Sequence, residues 1–208
     1  MLAAIVAAWL SGGCGRIAMP TEPTSLTGAP QTTETLVNVT ADLLDVLTGY
    51  TGTDNWPGQS VAIPGSGSYN NIRFNWYHYN PSGNPVAFGT LYLLTQEYVG
   101  LPGDLGPSTA GFVARSERVS EGQYIFPPGT TLMAGRTYWF YSDARGQFTH
   151  SFNRDIYSGG DLYTTGYHAR GFTKSQASWL LLPSGIYLKP EPGTGIDANF
   201  KLQGAPAQ

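Results

Sequence analysis

The segment Leu132–Asp143 constrains what this chain can fold into more than any other stretch. After the turn signal at Gly135, Thr137, Trp139 and Tyr141 fall on one side of an extended backbone and Tyr138 and Phe140 on the other, because side chains alternate along a strand. Rings on both faces need cover on both. The segment is therefore expected in the middle of a sheet, with one face on the core and the other under a loop or a second layer.

The rest of the composition agrees with a β architecture. Charged residues make up 12% of the 208 residues and aromatics 13%, with 27 Gly and 15 Pro, a balance that suits strands joined by tight turns over charge-laced helices. The length fits one domain plus a tail, since all-β sandwiches run to about 200–250 residues. A formal net charge of −3 without any Lys/Arg run argues against nucleic acid as a partner, because phosphate neutralisation needs a basic surface.

The N-terminus carries an address. Met1–Leu10 is uncharged and almost wholly apolar, and is followed by Ser11, Gly12, Gly13 and Cys14, the single cysteine. This is the apolar and small-residue pattern of an export signal, too short for a spanning helix of about 20 residues. Leu10 to Cys14 approximates a bacterial lipobox, with Ser11 where a large aliphatic residue is usual. A lone cysteine closing such a segment resembles a bacterial lipoprotein lipidated on Cys14; an ordinary cleaved signal with an incidental cysteine is the alternative. Either reading takes the protein out of the cytoplasm, to a membrane anchor or the cell surface. With one cysteine no disulfide forms within the chain, so the fold relies on packing. Residues 15–35 are rich in Pro, Thr, Ser and Gly without apolar periodicity, and read as a flexible linker between a lipidated Cys14 and a folded domain.

The domain is expected over 36–203. Leu43, Leu44, Val46 and Leu47 fit either a helical turn capped by Thr40 or a first strand, the strand being preferred. Ser60–Ile63 reads as a short strand. Asn71–Tyr79 alternates, with Ile72, Phe74 and Trp76 on one face and Arg73, Asn75, Tyr77 and Tyr79 on the other. The turn cluster from Asn80 to Pro85 suggests a hairpin with Ala87–Gln96. Phe112–Arg115, Gln123–Phe126, Trp179–Leu182, Gly185–Leu188 and a closing strand Ile196–Leu202 follow, with 204–208 a frayed tail. Turn signals about every 8–12 residues favour a single sandwich or barrel.

Several of these motifs are familiar together. Leu132 to Tyr141, Tyr157-Ser-Gly-Gly-Asp-Leu-Tyr163, the isolated Trp179 and Ile196-Asp-Ala-Asn-Phe-Lys-Leu202 resemble exported bacterial jelly-roll domains of the choice-of-anchor, carbohydrate-binding-module-like type. The resemblance spans about Val37–Leu202 and implies a non-catalytic exported antiparallel sandwich. Such domains more often carry a C-terminal anchor, whereas Cys14 would serve here.

Catalytic spacing is not found. His78, His150 and His168 show no i, i+4 pair such as a helical zinc site requires. Gly65-Ser66-Gly67-Ser68 is a turn and not a nucleophile elbow. Asp155, Asp161 and Asp197 sit in or beside Gly-rich loops where oxygen ligands for a structural calcium could converge, or where aspartates serve turns by accepting backbone N–H bonds. Ala144–Ser178 concentrates His150, Phe152, Arg154, Tyr157, Tyr163, Tyr167, His168, Arg170 and Phe172. Rings beside polar donors on loops suit a polysaccharide or surface glycan, the ring face stacking on C–H groups. The same rings could instead form a satellite core over the sandwich edge. Tyr77 and Tyr79 are a second exposed-ring candidate. These readings converge on an exported, membrane-tethered binding module without a cofactor. A glycan-acting hydrolase and a structural subunit of an extracellular assembly are the alternatives.

Overall fold

A computed structural model of the chain describes residues 32–40, 48–50, 55–78, 84–151, 155–165, 171–176, 180–181, 187–188 and 195–207. The signal-like segment, Cys14 and most of the linker lie outside the described residues, as do Leu43–Leu47, Tyr79, Phe152, Arg154, Tyr167, His168, Arg170 and Trp179.

The described residues form an antiparallel β-sandwich of two main sheets. Eight principal strands are labelled in chain order: β1 (Glu34–Val39), β2 (Pro57–Ala62), β3 (Ser68–Tyr77), β4 (Leu91–Leu94), β5 (Phe112–Arg115), β6 (Gln123–Ile125), β7 (Thr137–Ser142) and β8 (Phe200–Pro206). One sheet runs β1-β8-β3-β6, with Arg118–Ser120 beyond β6. The other runs β2-β7-β4-β5, extended past β2 by Leu162–Thr164 and then Thr173–Lys174. First beside eighth beside third beside sixth, facing second-seventh-fourth-fifth, is the strand order of a jelly roll.

The sheets meet through alternating apolar positions. Ile72, Phe74 and Trp76 of β3 are fully buried, and Tyr138 and Phe140 of β7 oppose them from the other sheet. Phe74 sits at the centre of this core: it stacks on Phe140 at 4.7 Å between centroids, on its strand neighbour's Phe200 at 5.4 Å, and meets Trp76 edge-on at 4.6 Å. Such ring pairs contribute about 0.5–1.5 kcal/mol beyond their area burial, so this cluster ties the two layers together. β7 is central, with β2 on one side and β4 on the other, as its doubly apolar pattern predicts.

Three boundaries differ from the sequence reading. Ala87–Gln96 does not form a hairpin with β3: only Pro85–Val86 pairs there, and the chain then crosses so that β4 lies against β7. All four residues of β4 are buried, which demands a layer on each face and excludes the half-exposed role of a hairpin arm. The crossing is fixed by Tyr124, whose hydroxyl donates to the Phe88 carbonyl at 2.7 Å and accepts from Phe88 N–H, and by Thr90 N–H donating to Asp143 Oδ1 at 2.7 Å. Secondly, the closing strand is Phe200–Pro206 instead of Ile196–Leu202, and 204–207 is tied down instead of frayed: Ala205 pairs with Asn70, and Ala207 N–H bonds the Ser68 carbonyl at 2.8 Å. Thirdly, the ordered sheet begins at Glu34, opposite Gly204, so Glu34 and Thr35 belong to the sandwich and not to the linker. Gly204 is a packing glycine, since a Cβ there would stand 3.1 Å from both Leu36 Cδ1 and Tyr69 Cβ.

Candidate functional site

The outward face of the β2-β7-β4-β5 sheet carries a second aromatic cluster made of Tyr92, Leu94, Leu105, Tyr141, Tyr163 and Phe172. Register builds it. Arg115, Tyr92, Tyr141, Gly58, Tyr163 and Lys174 are successive cross-strand partners, so one row crosses the whole sheet with a cation at each end and three tyrosines between. Cross-strand partners lie about 4.5–5.5 Å apart on one face, and a row of rings packs edge to face. Tyr141 meets Tyr163 at 5.8 Å and 71°, and meets Phe172 at 4.7 Å. The loop after β4 closes over this row: Tyr98 N–H donates to the Tyr141 hydroxyl at 3.1 Å, and Phe172 N–H donates to the Gly100 carbonyl at 3.1 Å. Burial raises the Tyr141, Tyr92 and Tyr163 hydroxyls, which stay neutral donors and acceptors at any physiological pH.

Beside this row stands Trp139, half-buried, opposite Leu94 on one side and Ser60 on the other. Its Nε1–H donates to the Tyr163 hydroxyl at 3.4 Å. Lys174 Nζ pairs with Asp161 Oδ1 at 2.7 Å, and Asp161, Lys174 and Glu97 all lie near enough to act on the Tyr163 hydroxyl. A partly open indole beside charged and hydroxyl groups on a rigid sheet is an arrangement that can stack on a sugar ring and bond its hydroxyls.

The residues singled out between His150 and Phe172 do not make one ring surface among those described. Tyr163 belongs to the outward row and is 4% exposed, its ring faces taken by neighbours. Tyr157 packs instead on the edge of the inter-sheet core, 5.7 Å from Phe200, and its hydroxyl donates to the Ala62 carbonyl at 2.9 Å; burial pushes that hydroxyl up to about 12. His150 is buried in the short strand Thr149–Ser151, its Nδ1 bonded to the Ser151 carbonyl, and burial lowers its basicity. Tyr77 is half-buried and donates to Asn38 Oδ1 at 3.0 Å. Trp139, Tyr92 and Tyr98 were passed over as site residues by sequence; the alternation in β7 was the one available signal for Trp139.

The three aspartates serve three separate purposes. Asp197 is 1% exposed and accepts from Gln59 Nε2 at 3.1 Å, Ile156 N–H at 3.1 Å and Tyr157 N–H at 3.0 Å. Burial pushes its carboxyl up to about 7 against those three donors, helped by the nearby charge of Asp155. Asp155 Oδ1 accepts from Tyr157 N–H at 2.8 Å, an Asx-type turn bond, and Asp161 holds Lys174. Among the described residues no group of three His, Cys, Asp or Glu side chains gathers as a metal site would require.

A groove of about 910 Å³ is lined by Thr90, by Phe112–Glu117 and by Pro127, Gly129 and Thr130 from the loop after β6. Its lining is mixed in polarity. No family model, curated protein or solved structure matches the chain.

Proposed function

We propose that the chain is an exported, membrane-tethered, non-catalytic surface module that binds carbohydrate, held by a lipidated Cys14 and a short linker and akin to the choice-of-anchor, carbohydrate-binding-module-like jelly rolls. The observation that carries the reading is Trp139: a half-buried indole on the outward face of a rigid sheet, flanked by the Tyr163 hydroxyl and the Lys174–Asp161 pair. An aromatic platform with a few placed polar groups is the chemistry that recognises a sugar ring, whose two faces are apolar and whose rim is hydroxylated. The sequence supports the address through Met1–Cys14 and the Pro/Thr-rich stretch after it.

A glycan-acting hydrolase would draw on Asp197, the one described carboxyl held near neutrality, with Asp155 beside it. That reading is the weaker one, because both Asp197 oxygens already accept N–H bonds and the side chain is sealed from solvent, leaving it no face for a substrate. Two experiments test the proposal. Cys14→Ser should move the protein from membranes to the soluble fraction; continued membrane partition sinks the anchor. A glycan array probed with the full chain should show at least one class of polysaccharide retained without turnover.

A further inference from the structure

Trp139 has an ion pair on one side and an unmatched carboxylate on the other. Its cross-strand partner in β2 is Ser60, which fixes both main-chain groups of Asp161: Ser60 N–H donates to the Asp161 carbonyl at 3.0 Å, and Asp161 N–H donates to Ser60 Oγ at 2.8 Å. The Asp161 carboxylate set there receives Lys174 Nζ at 2.7 Å. Lys174 in turn stands opposite Tyr163, whose hydroxyl accepts from Trp139 Nε1. A contact this short leaves the ammonium already matched by its own anion.

On its other side Trp139 faces Leu94, and the chain leaving Leu94 carries Glu97. Glu97 is exposed, and the next residue sets its place: Tyr98 N–H donates to the hydroxyl of Tyr141, two positions along β7 from Trp139. The Glu97 charge acts on the Tyr163 hydroxyl and on the Lys174 ammonium, so it shares their surroundings. Among the described residues Glu97 makes no ion pair. Two carboxylates against one ammonium leave one negative charge around the indole, and the chain's net charge of −3 adds a field of the same sign.

A partly open indole beside an unmatched carboxylate favours a cation, which the ring quadrupole attracts and the anion pairs. A uronate or sulfated chain would meet Glu97 with Lys174 already taken, and a neutral chain would leave Glu97 unused. Resting on the carbohydrate reading above, we propose that the ligand is a polysaccharide bearing free amino groups, a hexosamine polymer without its N-acetyl groups. Its ammonium binds at Trp139 and Glu97, while the Lys174–Asp161 pair bonds neighbouring hydroxyls.

The test is calorimetric titration of the full chain, in a weakly acidic buffer that keeps the amines protonated, with soluble glucosamine oligomers, the same oligomers N-acetylated, and a polyuronate. Wild type should bind the free-amine form about fivefold or more tighter than the N-acetylated form, and the polyuronate least. Glu97→Gln should lose about fivefold for the free-amine form and keep its affinity for the N-acetylated one. Glu121→Gln removes the same charge from an exposed turn of the other sheet and should bind as wild type does, which separates the site from general attraction to an acidic protein. An N-acetylated form or polyuronate bound as tightly as the free-amine form, or equal losses in Glu97→Gln and Glu121→Gln, would overturn the amine specificity and leave the carbohydrate reading standing. Binding of none of the three would overturn it as well, and the glycan array then decides the carbohydrate reading by itself.

Discussion

Gly58 lies against the ring of Tyr141, its cross-strand partner, so closely that a Cβ added at position 58 would overlap the ring carbons. It also stands opposite Tyr163, so the glycine is the gap into which two tyrosines of the outward row lean. Gly58→Ala should therefore force the Tyr141 ring from its place and cost about 1–3 kcal/mol, the usual scale of overpacking. Urea melts read this directly; a midpoint equal to wild type would show that the row has room to spare and that the tyrosines are not held by register.

Phe140 and Trp139 are adjacent in sequence and face opposite sides of one sheet. Phe140 is fully buried against Phe74 and Phe126, and Phe140→Ala should cost on the order of 3–5 kcal/mol through lost burial and a residual cavity. Without a disulfide to hold the unfolded chain together, that is a large part of the stability of such a domain. Thermal melts of Phe140→Ala within 1–2 °C of wild type would contradict the central position of β7.

Asp197 and Gln59 hold each other in place. Gln59 gives its Nε2–H to Asp197 and receives Ala198 N–H on its oxygen at 3.0 Å, so a carboxamide with no exposure is fully bonded. Asp197→Ala would leave the Ile156 N–H and one Gln59 Nε2–H without an acceptor, while Tyr157 N–H keeps Asp155 Oδ1 and Gln59 keeps the Ser60 carbonyl, at about 1–3 kcal/mol for each buried group left unsatisfied. Equilibrium unfolding in urea measures the loss; a cost below about 1 kcal/mol would mean that water reaches the site freely.

The same carboxyl makes stability pH-dependent. Its folded-state pKa, about 7, lies above its ordinary value of 3.8, so the folded state binds the proton more tightly. The stability this contributes is present below the unfolded pKa and is lost as pH rises through about 7. His150 acts with the opposite sign, its basicity lowered by burial, so its contribution falls away as pH drops below its ordinary 6.5. Above about pH 7, where an ordinary histidine is already mostly neutral, the Asp197 contribution is the one still being lost: wild type should weaken from pH 7 to 8, and Asp197→Ala should not. Parallel slopes for the two proteins would remove Asp197 as the cause.

The fold was legible where a period of two runs unbroken. Ile72, Phe74 and Trp76, and the two-faced β7, were placed by alternation alone. It was not legible where tertiary context overrides local pattern. β4 reads as a hairpin arm because a turn cluster precedes it, yet its burial on both faces sends it to the other sheet. Residues 204–208 read as a frayed tail, but Gly204 is needed for close packing and Pro206 closes the end of β8, past the last residue paired with β1. The outward row was invisible for a different reason. Its members come from six strands and meet only through register, whereas sequence proximity grouped Tyr163 with His150 and Tyr157, which the fold sends to different environments.

Carbohydrate binding at Trp139 is tested most directly by affinity electrophoresis of wild type and Trp139→Ala through a panel of soluble polysaccharides, with circular dichroism to confirm that both are folded. At least one polysaccharide should retard wild type, and Trp139→Ala should lose about tenfold in affinity for it, a stacking contribution on the order of 1.4 kcal/mol, while keeping its β-sheet spectrum. A folded Trp139→Ala retarded as strongly as wild type, or a wild type retarded by no polysaccharide, would contradict it.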